Sequence, residues 1–534
     1  MFLDLKKICQ VESIPIVLYQ SSELSPRPLR EHIKAMDSER LRERYIKFDP
    51  VELQREAGAV KGQAVSPDIV KFAEGGFNKV FLLKSGDGQE VIARLSTPIA
   101  WPPRYATASE VATLRFLRNV LGIPVPKVLA YSISSGNPVG AEYIIMERVR
   151  GESFASRWQS LTTEEVKDVM TQIATMEQKI FSFKFPGYGS LYYKNDVKDD
   201  KQIPLGRENI VLVLLLRGSF GKTFVANWIS IVVLVTRREK ACILDNAKPR
   251  ARQRFLLPTD YDIHPSEHLS LLSKFLKLAP NILLPEPQQN SPILRHPDLS
   301  SPNILLAPGS TKIVSIIDWQ DAIIFPLFLR AGYPKFCEHD SSKPQTPKLP
   351  TLPANFDTLS PEEQLRARAE FRLEEINLYY TAATGIHNKL HTSALRIPYR
   401  AMRHYLFQKT ENPWDADLIN LRMALVGITK VWSLISPGPC PVSFTEEEEN
   451  RAIAQSTEWN ESEEVLSTIR NDMGIDLEGG TEPENFEWAC HRNMEFRMEM
   501  LRQVEEGERG ICWQNWPYKD EEESTSPPSI GIEP

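Results

Sequence analysis

Paired cysteine, long apolar runs and surplus positive charge are all missing from this 534-residue chain. Its six cysteines (Cys9, Cys242, Cys337, Cys440, Cys490 and Cys512) are scattered, with no Cys-x-x-Cys pair. That excludes a disulfide scaffold or zinc module as the organising device and points to a reducing compartment. The longest apolar stretches, 210–216 and 224–235, are separated by Arg217 and Lys222. Each falls short of the ~20 residues a membrane span needs, so no transmembrane helix is expected. The N-terminus lacks the long apolar core of a secretory signal, and Asp4 and Glu12 argue against an acid-poor transit peptide. A cytoplasmic protein is the default expectation, with an organellar presequence as the alternative. Lys+Arg number 63 against 70 Asp+Glu, a formal charge of −7. That balance argues against nucleic-acid binding, which calls for a basic surplus, but leaves room for a local basic site for a phosphorylated ligand.

What is present reads as globular. Hydrophobic residues make up 42% and charged residues 25%, close to the soluble average. At roughly 100–200 residues per domain, the length allows about three domains, or one two-lobed unit with extensions. The 40 prolines mark joints between packed elements. Two β-like runs, 79–84 and 90–95, flank Ser85-Gly86-Asp87-Gly88, a hairpin signal. Val111, Leu114, Leu117, Val120 and Leu121 recur at helical spacing and predict a helix over 107–121. Strands are expected over 125–132 and 142–148. A helix is expected over 161–183, with Thr162 or Thr163 at its start and Glu164 and Glu165 in its first turn. Prolines 344, 347, 350 and 353 read as an extended linker. Beyond it, helices are expected over 361–383, 396–407 and 418–434. The acidic runs 446–449 and 520–523 read as solvated helix ends or tails.

The segment that carries chemistry is Arg295-His296-Pro297-Asp298-Leu299-Ser300-Ser301-Pro302-Asn303, followed by an apolar run that delivers Asp318. His296, Asp298 and Asn303 stand at H-x-D-x₄-N spacing. Phosphoryl transfer needs such a kit. One carboxylate orients and deprotonates an acceptor hydroxyl, while an amide oxygen and a second carboxylate hold Mg²⁺ against nucleotide phosphates. The apolar runs 304–306 and 313–317 read as a hairpin that brings Asn303 and Asp318 together at its open end.

These motifs resemble those of the aminoglycoside-phosphotransferase-like and choline-kinase-like branch of the protein-kinase fold. They also resemble those of a fungal subfamily, the altered-inheritance-of-mitochondria proteins. HPDLSSPN looks like that branch's H-G-D-x₄-N loop, and IIDW looks like its I-D-W metal motif. The resemblance covers roughly 41–324. It implies an α+β, bilobal protein-kinase-like fold. A small antiparallel β-sheet lobe would span 41–149, and a larger, mostly helical lobe 150–343. An N-terminal extension would fill 1–40, and a Pro-rich linker with a helical C-terminal extension 344–534. ATP and Mg²⁺ are the implied cofactors. Asp298 would act as the base, with His296 bracing its loop. Asn303 and Asp318 would hold the metal, and Asp321 would stand either near the metal or on the surface.

The resemblance also orders the nucleotide site. Gly75, Gly76, Phe77 and Asn78 sit where a glycine turn would offer backbone N–H groups to phosphates. Arg94, in Val91-Ile92-Ala93-Arg94, stands where the family carries a phosphate-binding lysine. It is permanently charged and bidentate. Glu110 is its expected partner. Met146, Glu147 and Val149 lie in the segment whose backbone would hold adenine. Ser300 stands where protein kinases often carry a lysine two residues after the base, which favours a small-molecule acceptor and leaves the γ-phosphate clamp unassigned.

Gly218-Ser219-Phe220-Gly221-Lys222-Thr223 superficially resembles a P-loop, but Leu216 stands where the first glycine is required, so the match fails. Residues 203–245 depart from the family texture, being Val/Leu/Ile-rich. They read either as translated intron or as a real buried insertion. Two functions follow. One is an ATP- and Mg²⁺-dependent phosphotransferase acting on a hydroxyl of a small molecule. The other is a non-catalytic kinase-fold nucleotide-binding or scaffold protein with a role in mitochondrial maintenance. The sequence leaves the oligomeric state open.

Overall fold

The computed structural model describes residues 45–60, 62, 67–74, 77–98, 100, 103–197, 202–205, 209–213, 236, 240, 243, 265–282, 287–337, 349–410, 418–475, 481 and 485–518. These fall into two compact units, the first drawn from 44–231 and 283–400, the second from 232–282 and 401–534. The first unit therefore runs past the boundary expected at 344 and takes in helices assigned above to an extension.

The first unit opens with helix α1 (Pro50–Val60) and an antiparallel sheet. β1 (Asp68–Glu74), β2 (Asn78–Lys84) and β3 (Glu90–Ser96) are consecutive. Helix α2 (Tyr105–Arg115) follows, then β4 (Val128–Ser132) and β5 (Tyr143–Glu147). The strand order is β1-β2-β3-β5-β4. The expected hairpin joins β2 to β3, with Lys84 opposite Glu90. Its turn closes through Gly88, whose N–H donates to the Ser85 carbonyl at 2.9 Å. Gly88 has φ 80°, a region glycine enters at little cost.

The period of two along β3 decides where the chemistry points. Val91, Ala93 and Leu95 pack with Leu53 and Ala57 of α1 and with Phe81 and Leu83 of β2. Ile92 and Arg94 therefore face the other way. Ile92 packs against the main core, which contains Val111 and Leu117. The single helix expected over 107–121 is in fact α2 followed by a π-helical turn, Phe116–Val120. Such wider turns break an otherwise regular ladder.

Beyond β5 the chain makes β6 (Glu152–Ser153), α3 (Phe154–Arg157) and α4 (Thr163–Ser182). Gly151 has no room for a side chain: a Cβ would lie 3.0 Å from Leu305, from the Leu306 carbonyl and from Val314. Thr162 caps α4 and forms a capping box with Glu165, which satisfies two otherwise orphaned backbone donors. The buried face of α4 reads Val166, Met170, Ile173, Glu177, Ile180. One charged residue lies in that apolar stripe.

β7 (Ser190–Tyr193), β8 (Ile203–Pro204) and β9 (Ile210–Val213) form a sheet in the order β7-β9-β8. Tyr192, Val211 and Val213 pack with Ala108 of α2. The beginning of the atypical 203–245 stretch is thus built into the core that supports α2. Residues 214–235, including the failed P-loop match, lie outside the described residues, as do 244–264 and the linker residues 338–348.

β10 (Pro292–Leu294), β11 (Ile304–Leu306), β12 (Ile313–Ile316) and β13 (Ile324–Pro326) follow. β11 pairs antiparallel with β12 and with β6, and β10 with β13. α5 (Leu327–Arg330), α6 (Pro361–His387) and α7 (Lys389–Leu395) complete the unit. α6 begins with Ser360 as cap, Glu363 closing a capping box and Pro361 in the first turn. Its Ile376 and Tyr380 enter the main core alongside Ile173 and Ile180 of α4.

The second unit is helical: Pro265–Ile282, most of Arg400–Thr410, Leu418–Lys430, Trp432–Ile435, Glu446–Met473, Phe486–Gln503 and Arg509–Asn515. The helix expected over 418–434 is interrupted at Val431. The acidic run 446–449 is the first turn of a helix capped by Thr445, where the dipole favours acids. Among the described residues, no helix is long and apolar enough to cross a membrane.

Candidate active site

The site lies within the first unit and is built around the β11–β12 hairpin. Ile304 opposes Ile316, and the Ile317 N–H donates to the Asn303 carbonyl at 2.9 Å. This pairing holds Asn303 at one end of the hairpin beside Asp318. Asp318 has φ 64° and Asp321 φ 59°. The left-handed backbone is uncommon outside glycine but is tolerated by Asp and Asn.

The loop before β11 is internally braced. The Asp298 N–H donates to His296 Nδ1 at 3.1 Å, and His296 Nε2 lies 2.9 Å from the Ile317 carbonyl. Because Nδ1 accepts, Nε2 carries the proton and donates. The ring meets Trp319 edge-on at 4.5 Å. Burial lowers the His296 pKa, against the Ile317 carbonyl, Asp318 and Asp298, which favour the cation. His296 is thus a neutral tie between the loop and the strand that delivers Asp318. Asn303 Nδ2 donates to the Asp298 carbonyl at 3.0 Å. The Asp298 carboxylate is half-exposed and pairs with Lys335 Nζ at 3.0 Å.

Across from the hairpin, Arg94 of β3 forms a buried ion pair with Glu110 of α2, and its Nη1 lies 3.5 Å from Asp318 Oδ1. Burial pulls the guanidinium pKa down to about 10, opposed by Asp318 and then Asp321, so it stays cationic at neutral pH. Asp321, left open above between a site and a surface role, is exposed, yet its charge reaches Arg94. Asn78 Nδ2 donates to Gln320 Oε1 at 2.5 Å, joining the start of β2 to the turn after Asp318. Gln320 went unread in the sequence. Its position beside Ile317-Asp318-Trp319 was the available signal.

Gly75 and Gly76 lie outside the described residues. Phe77 is exposed, and its carbonyl accepts from the Thr97 N–H at 2.9 Å. Met146 is buried in β5. The Glu147 carboxylate is engaged by Arg118 at 2.8 Å and the Lys127 N–H at 2.9 Å. A cavity of about 540 Å³ borders Glu147 and Val149, with Arg118, Pro124 and Lys312 in its wall. It touches the expected adenine segment but none of Arg94, Asn303 or Asp318. The structure links Asp298 with His296 and Asn303, and Asp318 with Arg94 and Glu110, the two groups meeting through the Ile317 backbone, while Asn78 reaches the turn after Asp318 through Gln320. Met146, Glu147 and Val149 stand apart from that set.

A second set of contacts lies behind the loop. Arg295, adjacent to His296, donates from Nε to Glu177 Oε1 at 2.8 Å and from Nη1 to the Arg330 carbonyl at 3.2 Å. The Tyr380 hydroxyl donates to Glu177 Oε2 at 2.5 Å, and the Gly332 N–H donates to His391 Nε2 at 3.3 Å. The loop is thereby tied to α4, α6 and α7.

Asn303 and Asp318 are the residues that could hold a magnesium ion. Mg²⁺ typically keeps several waters and takes one or two protein ligands together with substrate phosphates. Asp318 is half-exposed, and Asn303 Oδ1 has no partner among the described residues. No cluster of three or more His, Cys, Asp or Glu suited to a metal occurs among the described residues, so an all-protein cage is not on offer there.

The chain is similar to several known proteins. A model of the phosphotransferase enzyme family matches residues 68–206. A subtelomeric hrmA-associated cluster protein of Aspergillus fumigatus is 54% identical over 506 residues, 87% of this chain and 99% of that one. The altered inheritance of mitochondria protein 9 of Vanderwaltozyma polyspora is 22% identical over 422 residues, 70% of this chain and 65% of that one. An aminoglycoside phosphotransferase structure from Streptomyces rimosus aligns with TM-score 0.30 and 16% identity, over 65% of this chain and 98% of that one. The chain belongs to one family with the hrmA-associated cluster protein; it carries a phosphotransferase-enzyme-family domain over residues 68–206 and is more distantly similar to the altered-inheritance-of-mitochondria proteins. Its fold is α+β, a five-stranded antiparallel sheet followed by a mostly helical region.

Proposed function

We propose that the chain transfers the γ-phosphoryl group of ATP to a hydroxyl of a small molecule. One observation carries the reading: the Ile317–Asn303 backbone bond at 2.9 Å holds two oxygen-bearing side chains at one hairpin end, with Arg94 Nη1 3.5 Å from one of them. Asp298 takes the acceptor's proton, the acceptor oxygen bonds the γ-phosphorus, and the bond to the β-phosphate oxygen breaks to release ADP. Mg²⁺ held by Asn303 and Asp318 would supply charge neutralisation for the phosphates. Arg94, steadied by Glu110, contributes a fixed cation, and His296 keeps the loop in register with the metal-binding strand. Little covalent work falls to the protein, so positioning and electrostatics supply most of the rate.

A second reading, nucleotide binding without transfer in a mitochondrial-maintenance role, draws support from the Asp298–Lys335 pair, which occupies the proposed base. The mitochondrial relatives supply its setting. A thermal-shift titration with ATP and Mg²⁺, run beside an assay of ATP consumption, separates the two. A shift with turnover supports the transferase, a shift without turnover supports the binding protein, and no shift contradicts both.

A further inference from the structure

We propose that Lys335 is the γ-phosphate clamp, and that it reaches the phosphate by letting go of Asp298. This rests on the phosphotransferase reading above. The sequence leaves that clamp unassigned, because Ser300 and Ser301 follow the base where a cation would serve. The fold supplies one from elsewhere. Lys335 Nζ lies 3.0 Å from Asp298 Oδ1, and among the described residues it is the one cation in salt-bridge range of that carboxylate.

The anchorage of Lys335 is firm while its side chain is exposed. Phe336 packs edge-on against Phe154 at 5.5 Å. The Cys337 N–H donates to the Pro334 carbonyl at 2.8 Å, and Asn377 Nδ2 donates to the Cys337 carbonyl at 2.5 Å. The backbone that follows Lys335 is thus tied to α3 and α6. The Lys335 side chain itself is 70% exposed, a four-carbon stem carrying a point charge suited to phosphate. Arg94 is less able to serve, because it is buried and already committed to Glu110 and Asp318.

A transferable γ-phosphoryl must lie within reach of a hydroxyl that itself hydrogen-bonds Asp298. Lys335 is therefore within a side-chain swing of the phosphate. In the structure it pairs with Asp298. When ATP arrives, the phosphate offers a denser negative charge, Lys335 transfers to it, and the carboxylate becomes available to the acceptor.

The test is isothermal titration of the full chain with ATP and with ADP, both with Mg²⁺, on wild type, Lys335→Gln and Lys335→Arg. Losing one charge-assisted phosphate contact should weaken ATP by about tenfold in Lys335→Gln and leave ADP within about twofold. Lys335→Arg should keep most of the ATP affinity. Melting temperatures taken in parallel report whether each variant is folded, which the exposure of Lys335 favours. Equal changes for ATP and ADP, or none for either, would overturn the clamp while leaving the phosphotransferase reading intact. Failure of wild type to bind either nucleotide would overturn that reading and the clamp with it.

Discussion

Arg295 and Glu177 form an ion pair at 2.8 Å with side chains only 11% and 6% exposed. Arg295 immediately precedes the loop that carries Asp298, and Glu177 sits in the apolar stripe of α4. The pair therefore anchors the proposed catalytic loop from behind. Burial alone would raise the Glu177 pKa, but Arg295, His391 and Tyr380 outweigh it and hold the carboxyl below its usual range. Glu177→Ala leaves a buried guanidinium unpaired and should cost roughly 3–5 kcal/mol of unfolding free energy in urea. A loss below about 1 kcal/mol would mean the pair does not anchor the loop.

The same cluster sets an acid limit on stability. Burial pulls the His391 pKa down to about 4, against an unfolded value near 6.5. The unfolded chain takes up the proton first, so this contribution is full above about pH 6.5 and is lost as pH falls toward 4. It should amount to roughly 3 kcal/mol. His296, also lowered by burial, acts in the same direction. The depressed Glu177 carboxyl adds stability that is present above its unfolded value of about 4.3 and lost as pH falls through its folded one. Urea midpoints between pH 7 and 4 should fall for wild type and fall less for His391→Gln, whose amide oxygen can still accept from Gly332.

Arg94 and Glu110 should behave as a unit. Arg94→Met leaves the Glu110 charge buried alone and should destabilise by about 3 kcal/mol or more. Adding Glu110→Leu removes that charge and should recover most of the loss. Neither variant should show a thermal shift with ATP and Mg²⁺. A full shift in the stable double variant would remove Arg94 from the nucleotide site.

Asp318→Asn separates metal binding from folding. Asparagine accepts the left-handed backbone that residue 318 adopts, so the melting temperature without nucleotide should stay within about 2 °C of wild type. The additional shift that Mg²⁺ gives over ATP alone should disappear. If Mg²⁺ still adds its shift, the ion is held elsewhere.

Local signals were legible in the sequence and non-local ones were not. Thr162 or Thr163 with Glu164 and Glu165 marks the start of α4, the 85–88 turn marks the β2–β3 hairpin, and H-x-D-x₄-N with the following apolar runs marks β11 and β12. Each rests on residues a few positions apart. The unit boundary depends on α6 packing against α4, which no local pattern records, so the linker near 344 looked like a domain junction. Lys335 is an exposed lysine with no neighbouring motif, and only the folded chain brings it to Asp298. Glu177 was legible in principle, as a carboxylate at an apolar position of the 166–170–173–177–180 stripe. A buried acid on such a face demands a partner, and Arg295 lies in the segment already singled out.

The central claim is that this protein turns over ATP through Asp298. The most direct measurement is ADP production by the purified full chain with Mg-ATP and fractionated small metabolites, beside Asp298→Asn. The half-exposed position of Asp298 means the variant should fold normally. The expected result is a metabolite fraction that stimulates ADP formation by wild type, with activity at least about a hundredfold lower in Asp298→Asn. Full activity in Asp298→Asn would contradict the assignment of the base, and ATP binding without ADP formation in any fraction would contradict the transferase reading.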